Sequence, residues 1–544
     1  MRKFVLSLLV LSLILSLAAC GGDSSSPSSA TTTPSTPSSP SQSTPAQSAP
    51  VAPTDPTGPD GQKYGGIIRL IANDTTQPVG LPWELQMREQ TMIWPLGECL
   101  MLEEVNGTLL PWLAESWEID TDKLEITFKL KEGVKFSDGS DFDAEAVYWQ
   151  GMRAIESRAM NQAVIDFDVR GKYELTAILG SYVNSTIAHF PSHTFSIVSK
   201  ENYDKNGEEY ARDNPIGTGP FKMKDKNLGV SITYDRNENY WQPGKPYLDG
   251  IEYVQVTDVM TQNAAFMTTG EGSLDVIRTS NGEQASLLSA LPNVYTARNP
   301  SGSAVIAPDS MSEGSPFAKL EVRQALYYAI DRQLICDARG FGLMNPTYQI
   351  IPEGFKGYMQ ELDYRTYSAY DPAKAKDLLA QAGYPNGIKT QLNVPPTFDR
   401  DSAVAVQDML AAVGIVCEMN FPEAGAATEM RISGWEGLLL QNLGVLTNTS
   451  SIIRLNLDPY FEYLPNSWRP IEEIDPVYTA ARATPMLEDG MMHQLFSMYL
   501  DNMVIVPLFA SNSMSIIKDD VHNTYYGDYA PTTTAWLPWE AWKD

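Results

Sequence analysis

LPWLAESWEIDTDKLEITFKLKEGVKFSDGSDFDAEAVYW, residues Leu110 to Trp149, is the stretch that decides the architecture. Leu124, Ile126, Phe128 and Leu130 alternate with polar residues, and Val134 and Phe136 resume the alternation after Glu132-Gly133, which predicts a half-buried hairpin. Ser137-Asp138-Gly139 closes it as a turn. Asp143 then supplies a cap for a helix. Glu145 lies in its first turn, where a carboxylate meets the positive end of the helix dipole, and Val147, Tyr148 and Met152 are available to face a core.

The same reading extends outward. Val322, Ala325, Leu326, Ala329 and Ile330 recur at helical spacing and predict a packed helix from Leu320 to Leu334. Asp371-Pro372 reads as a cap followed by proline in the first turn, and Gly383 as the left-handed residue that ends the helix. Lys389 to Val394, Ser402 to Val413 and Ile415 to Met419, with Gly414 as the break, read as strand, helix and strand of a parallel crossover. Hairpins and crossovers in one chain predict α/β lobes built on mixed sheets, neither a β-sandwich nor a helical array. Residues 61 to 544 are too many for one core, so at least two lobes are expected.

The chain begins with Arg2 and Lys3, an apolar run from Phe4 to Leu17, and Leu17-Ala18-Ala19-Cys20 before Gly21-Gly22. The run is about half the length needed to span a bilayer, so it reads as a bacterial lipoprotein signal cleaved ahead of Cys20. A diacylglycerol thioether on Cys20 would then hold the chain on the membrane, each buried methylene contributing roughly 0.8 kcal/mol. From Ser24 to Pro59, 27 of 36 residues are Ser, Thr or Pro, too polar to offset the entropy of ordering, so this segment reads as a tether. It spans roughly 30 to 35 Å as a coil and up to about 110 Å when extended, a reach that suits a Gram-positive wall.

The formal charge is −28 and becomes −30 once Arg2 and Lys3 are removed with the signal. Nucleic acid is therefore a poor partner. The other cysteines, Cys99, Cys336 and Cys417, are odd in number and lack CxxC spacing, so they allow at most one disulfide and read as small buried apolar residues. His189 and His193 have the i, i+4 spacing of a metal pair. Pro191 between them disfavours a helix, no HExxH glutamate accompanies them, and they read as surface histidines. No GxSxG, Walker loop or dinucleotide glycine pattern is present. No metal and no cofactor is expected.

Four blocks carry a family resemblance: Leu110 to Trp149; Asn214 to Tyr253, NPIGTGPFKMKDKNLGVSITYDRNENYWQPGKPYLDGIEY; Phe317 to Leu334, FAKLEVRQALYYAIDRQL; and YDPAKAKDLLAQAGYPNG at 370 to 387. In order and separation the chain resembles the family-5 extracellular solute-binding proteins of ABC importers, the oligopeptide, dipeptide and nickel-binding group. The resemblance covers most of residues 65 to 520. Within it Gly217, Gly219 and Pro220 make a chain reversal, and Arg323 to Asp331 reads as packing with a structural ion pair rather than a ligand site.

The resemblance implies an α/β, two-lobed periplasmic-binding-protein-like fold, type II, with mixed sheets, an extra subdomain and a two-strand hinge. It also implies a division of the chain: 1–19 signal peptide; 20–60 lipidated cysteine and linker; 61–95, 213–298 and 509–544 lobe I, with 96–212 as its inserted subdomain; 299–508 lobe II. No catalysis is expected. The expected role is a monomeric lipoprotein on the outer face of the cytoplasmic membrane that captures an oligopeptide or modified peptide and passes it to ABC permease subunits. An oligosaccharide is the runner-up ligand, and a secreted surface hydrolase is the rival from another class.

Peptide binders of this family commonly place an aspartate shortly after a Gly-Trp pair. Here Trp435 is followed by Glu436-Gly437-Leu438-Leu439-Leu440-Gln441-Asn442, with no aspartate until Asp458. The resemblance therefore suggests Trp435, Glu436, Gln441 and Asn442 as ligand contacts, together with Tyr460 and Trp468 from the aromatic segment that follows and Trp83 and Trp94 from the first lobe.

Overall fold

The computed structural model describes residues 58–544 apart from 60, 73–74, 77–78, 85–89, 161, 271, 350, 352, 354–356, 364–369, 445–471, 485–488 and 529–535. Cys20, the signal and most of the tether, as well as Tyr460 and Trp468, lie outside the described residues.

In chain order the first strands are β1 (Ile67–Ala72), β2 (Met101–Glu103), β3 (Leu109–Pro111), β4 (Ala114–Asp120), β5 (Glu125–Leu130), β6 (Val164–Gly171) and β7 (Glu174–Leu179). Then come β8 (Phe221–Asn227), β9 (Ser231–Arg236), β10 (Gly250–Gln255), β11 (Val276–Thr279), β12 (Val294–Pro308) and β13 (Met344–Pro346). The last are β14 (Ile388–Asn393), β15 (Ile415–Asn420), β16 (Leu438–Gly444), β17 (Val506–Lys518), β18 (Val521–His522) and β19 (Trp542–Lys543).

One mixed sheet runs β15-β14-β16-β12-β17-β11-β1-β10-β9-β8, with β13 also on β17. Its two longest strands, β12 and β17, are antiparallel to each other and make the two-lobed form. β16 pairs with β12 only from Gly302 onward, and β11 pairs with β17 only from Met514 onward. Within the sheet, each lobe thus meets the other through this single pair.

In one lobe, Ile68, Leu70, Ile251 and Tyr253 pack with Trp94, Trp536 and Trp539 on one sheet face, while Ile277 and Ile516 pack with Phe266 and Leu288 on the other. In the other lobe, Leu438-Leu439-Leu440 is apolar without alternation because helices cover both faces. Ala304, Ile306, Leu438 and Leu440 meet the helices Leu320–Ala329, Arg332–Arg339, Pro372–Gln381 and Arg400–Ala412. Val305, Ala307, Leu439 and Leu443 meet the helices Asp475–Ala483 and Asp489–Asp501. A separate antiparallel sheet, β4-β5-β7-β6, is packed by the helix Ala144–Glu156.

The locally encoded elements form as expected. Asp143 accepts from the Ala146 N–H as N-cap, an arrangement worth about 1 kcal/mol. Asp371 caps Pro372–Gln381, and Gly383 follows at φ +91°. β14 and β15 pair in parallel across Arg400–Ala412. Gly217 and Gly219 fold against the Leu96 backbone, where an added Cβ would lie 2.0 Å and 2.7 Å from the Leu96 carbonyl oxygen.

Three details differ. β5 pairs with β4 and β7, not with the limb carrying Val134 and Phe136, whose side chains go into the core instead. The expected helix 320–334 is two helices, because Asp331 turns out of the first and its carboxylate caps the second through the Leu334 N–H. Arg323 donates to the carbonyl oxygens of Phe317, Ala318 and Asn502, tying the helix start to the chain before β17.

Candidate functional site

In open α/β sheets, ligands bind beyond the carboxyl ends of the parallel strands. Here the two lobes aim those ends at each other. β11, parallel to β1, ends at Thr279, which stands level with Met514 of β17 and Arg298 of β12. β16, parallel to β14, ends at Gly444, opposite Gly302 of β12. The short stretch between Arg298 and Gly302 therefore lies under the carboxyl ends of both lobes.

A cavity of about 270 Å³ opens there. Ser280 comes from the end of β11, Ser301 from β12, Thr397 from the loop after β14, Asn442 from β16, and Ser511 and Asn512 from β17. The lining is rich in hydroxyl and amide groups, which suits a polar solute. Asn442 donates to the Thr397 carbonyl at 2.8 Å, and Asn512 donates to the Leu343 carbonyl at 3.2 Å. At the rim, Arg339 donates to Asp399 at 3.3 Å and lies 2.9 Å from Asp401. Asp399 also caps the helix Arg400–Ala412 through the Ser402 N–H at 2.8 Å, so the rim charge is anchored to a rigid element.

Of the residues suggested by sequence, Asn442 lines this cavity. Its neighbour Gln441 alternates to the other face of β16, is 4% exposed, and its Nε2 has no hydrogen-bond partner among the described residues. Glu436 is exposed, and its backbone carbonyl accepts from Asn393. Trp435 is 5% exposed and donates its indole N–H to the Ala307 carbonyl at 3.0 Å, inside the core against Leu439 and Tyr478. Trp94 is 2% exposed and donates to the Trp536 carbonyl at 2.7 Å. Trp83 is half-buried, edge-on to Trp149 at 5.4 Å. Sequence reasoning missed Ser280, Ser301, Thr397, Ser511 and Asn512. Their only signal is that Ser280 and Thr397 closely follow parallel strands.

The four-stranded subdomain is joined to its lobe through a buried carboxylate. Glu98 accepts from Trp112 Nε1 at 2.9 Å, Tyr240 Oη at 2.8 Å, Thr218 Oγ1 at 2.8 Å and Trp241 Nε1 at 2.9 Å. Burial pushes the Glu98 carboxyl up to about 7, while the four donors pull it down. Trp112 also packs against Trp539 of the lobe core, with ring centroids 4.6 Å apart and the rings tilted by 33°.

His193 is buried beside Trp94, at 4.9 Å between rings, and not on the surface as its sequence context suggested. Pro191 separates the 3-10 turns Asn184–His189 and His193–Phe195. Cys99, Cys336 and Cys417 are free and buried. Among the described residues no group of three or more His, Cys, Asp or Glu is arranged to hold a metal ion.

The profile described as "Bacterial extracellular solute-binding proteins, family 5 Middle" matches residues 108–448. The chain belongs to this family. Among curated relatives of this family 5 chain, the glutathione-binding protein GsiB of Escherichia coli (strain K12) is 32% identical over 327 residues, which are 58% of this chain and 61% of that protein. The match thus spans about three fifths of the length of the curated relatives. Two solved structures share the family 5 fold. The periplasmic binding protein DppA from Helicobacter pylori, in complex with the peptide STSA, has TM-score 0.70 and 20% identity over 88% of this chain and 98% of its own. HbpA2 from Haemophilus parasuis has TM-score 0.77 and 20% identity over 88% of this chain and 100% of its own.

Proposed function

We propose that this chain is the solute receptor of an ABC importer, capturing an oligopeptide or modified peptide between its lobes and delivering it to permease subunits. The observation that carries this reading is the cavity under the facing carboxyl ends of both lobes, lined by hydroxyl and amide groups beside Leu343, Met344 and Phe509, in a family 5 chain. The names of two similar proteins support a peptide: one is called glutathione-binding, the other was solved with STSA. The role requires no covalent chemistry. Solute contacts to both lobes favour closure by their differential free energy, and the closed form docks on the permease.

In the same reading, lipid on Cys20 holds a monomer at the outer face of the cytoplasmic membrane, with the Ser/Thr/Pro tether as spacer. Lobe I is 61–95, 213–298 and 509–544 with the insert 96–212, and lobe II is 299–508. Asn442 contacts the solute, Tyr460 and Trp468 are the further ligand contacts that the resemblance suggests, and Trp83, Trp94, Trp435, Glu436 and Gln441 stand outside the cavity lining.

Thermal shift of residues 61 to 544 tests this reading, since anything that binds the native state alone raises its melting point. The panel is reduced glutathione, peptides with free and blocked N-termini, oligosaccharides and chelated metals. A shift with glutathione or peptides supports it. A shift with oligosaccharides alone moves the ligand to the runner-up. Hydrolysis of a pooled substrate with no shift overturns the receptor role.

A further inference from the structure

Among the contacts between the two lobes outside the β12–β17 pair is a side chain that caps a helix of the other lobe. Asn184 opens the 3-10 turn Asn184–His189 after β7 and is 4% exposed. Its Nδ2 donates to the Ala481 carbonyl at 2.7 Å and to the Thr484 carbonyl at 3.1 Å. Ala481 lies in the last turn of the helix Asp475–Ala483, and Thr484 is the residue that ends it. Carbonyls of a last helical turn have no partner within the helix and must find one elsewhere.

The two partners belong to different lobes. Asn184 sits in the four-stranded subdomain, which Glu98 and the Trp112–Trp539 contact join to the lobe of β1. Tyr478 and Ala481 of the helix pack with Leu439, Phe496 and Trp435 in the lobe of β16. A hydrogen bond is gone once donor and acceptor separate beyond about 3.5 Å, so a small opening of the lobes on this side breaks both bonds at once.

We propose that Asn184 is a closure latch: by capping the helix Asp475–Ala483 from the opposite lobe, it shifts the unliganded protein toward the closed arrangement. This rests on the reading that the lobes open and close, and not on which solute binds. Opening exchanges these two bonds for bonds to water, and an intramolecular hydrogen bond keeps a modest net gain over that exchange, so removing the latch lowers the closed-to-open ratio by about tenfold. Any solute that needs the closed arrangement then binds more weakly by up to the same factor.

The test compares the solute-free chain with Asn184→Asp, which keeps the shape and replaces the donor by an acceptor, and with Asn184→Ser, should the first disturb folding. Small-angle scattering reads the radius of gyration, and near-ultraviolet circular dichroism verifies the fold. A larger radius for folded variants than for the parent chain supports the latch. Equal radii in folded variants overturn it. Because no solute is present, failure of glutathione and peptides to bind would strike the proposed function and leave the scattering to decide the latch.

Discussion

Gly302 of β12 lies so close to Leu443 of β16 that a Cβ at this position would stand 2.3 Å from the Leu443 carbonyl oxygen. Its φ of +156° belongs to backbone that L side chains rarely adopt, and the pairing of β12 with β17 shifts register between Pro300 and Gly302. The chain thus passes from one lobe to the other at a residue with no side chain, directly beside the cavity-lining Ser301. The bend and the site share one piece of backbone.

Gly302→Ala therefore forces either β12 or β16 to move. The expected cost is about 1–3 kcal/mol, the range for a strained backbone position. Urea denaturation of the variant against the parent chain measures it, and an unchanged midpoint would show that the strands slide apart without penalty.

Glu98 makes stability depend on pH. Its folded carboxyl titrates near 7 because of burial, against an ordinary 4.5, so the folded chain keeps a proton that the unfolded chain has released. The stability from this group is full below about pH 4.5 and is lost as pH rises toward about 7. Glu98→Gln should flatten that slope in calorimetric melts between these limits. It should also destabilise throughout, by about 1–3 kcal/mol for each buried donor its amide leaves unpaired.

Asn442→Ala tests the cavity. Removing its bond to the Thr397 carbonyl should cost only about 0.5–1.5 kcal/mol of stability. Under the proposed function it should weaken binding of the solute found by thermal shift by roughly tenfold, measured by calorimetric titration. Unchanged affinity would place the solute elsewhere.

The three buried cysteines should be silent toward thiol reagents. Burial pushes the Cys99, Cys336 and Cys417 thiols up to about 12, so the reactive thiolate is scarce at pH 8. An Ellman assay on residues 61 to 544 should find no fast-reacting thiol in buffer and all three in denaturant. A fast native reaction would mean that one of these sites opens readily.

What the sequence determined by itself is whatever a few neighbouring residues decide. Asp143 and Asp371 cap their helices, Gly383 ends one, and Gly414 turns the chain into β15. Each acts over three or four positions, so each was legible, and the four blocks were enough to mark the family and its two lobes. Partnership over distance was not legible. β5 chose β4 and β7 over the Val134–Phe136 limb, and Trp94 and Trp435 gave their indole N–H groups to carbonyls of the core. The cavity draws Ser280, Ser301, Thr397, Asn442 and Ser511 from five separated segments, so the tertiary structure alone decided it. Small polar residues carry no periodic signal, and only the meeting of two sets of strand ends at β12 and β17 gives these a common place.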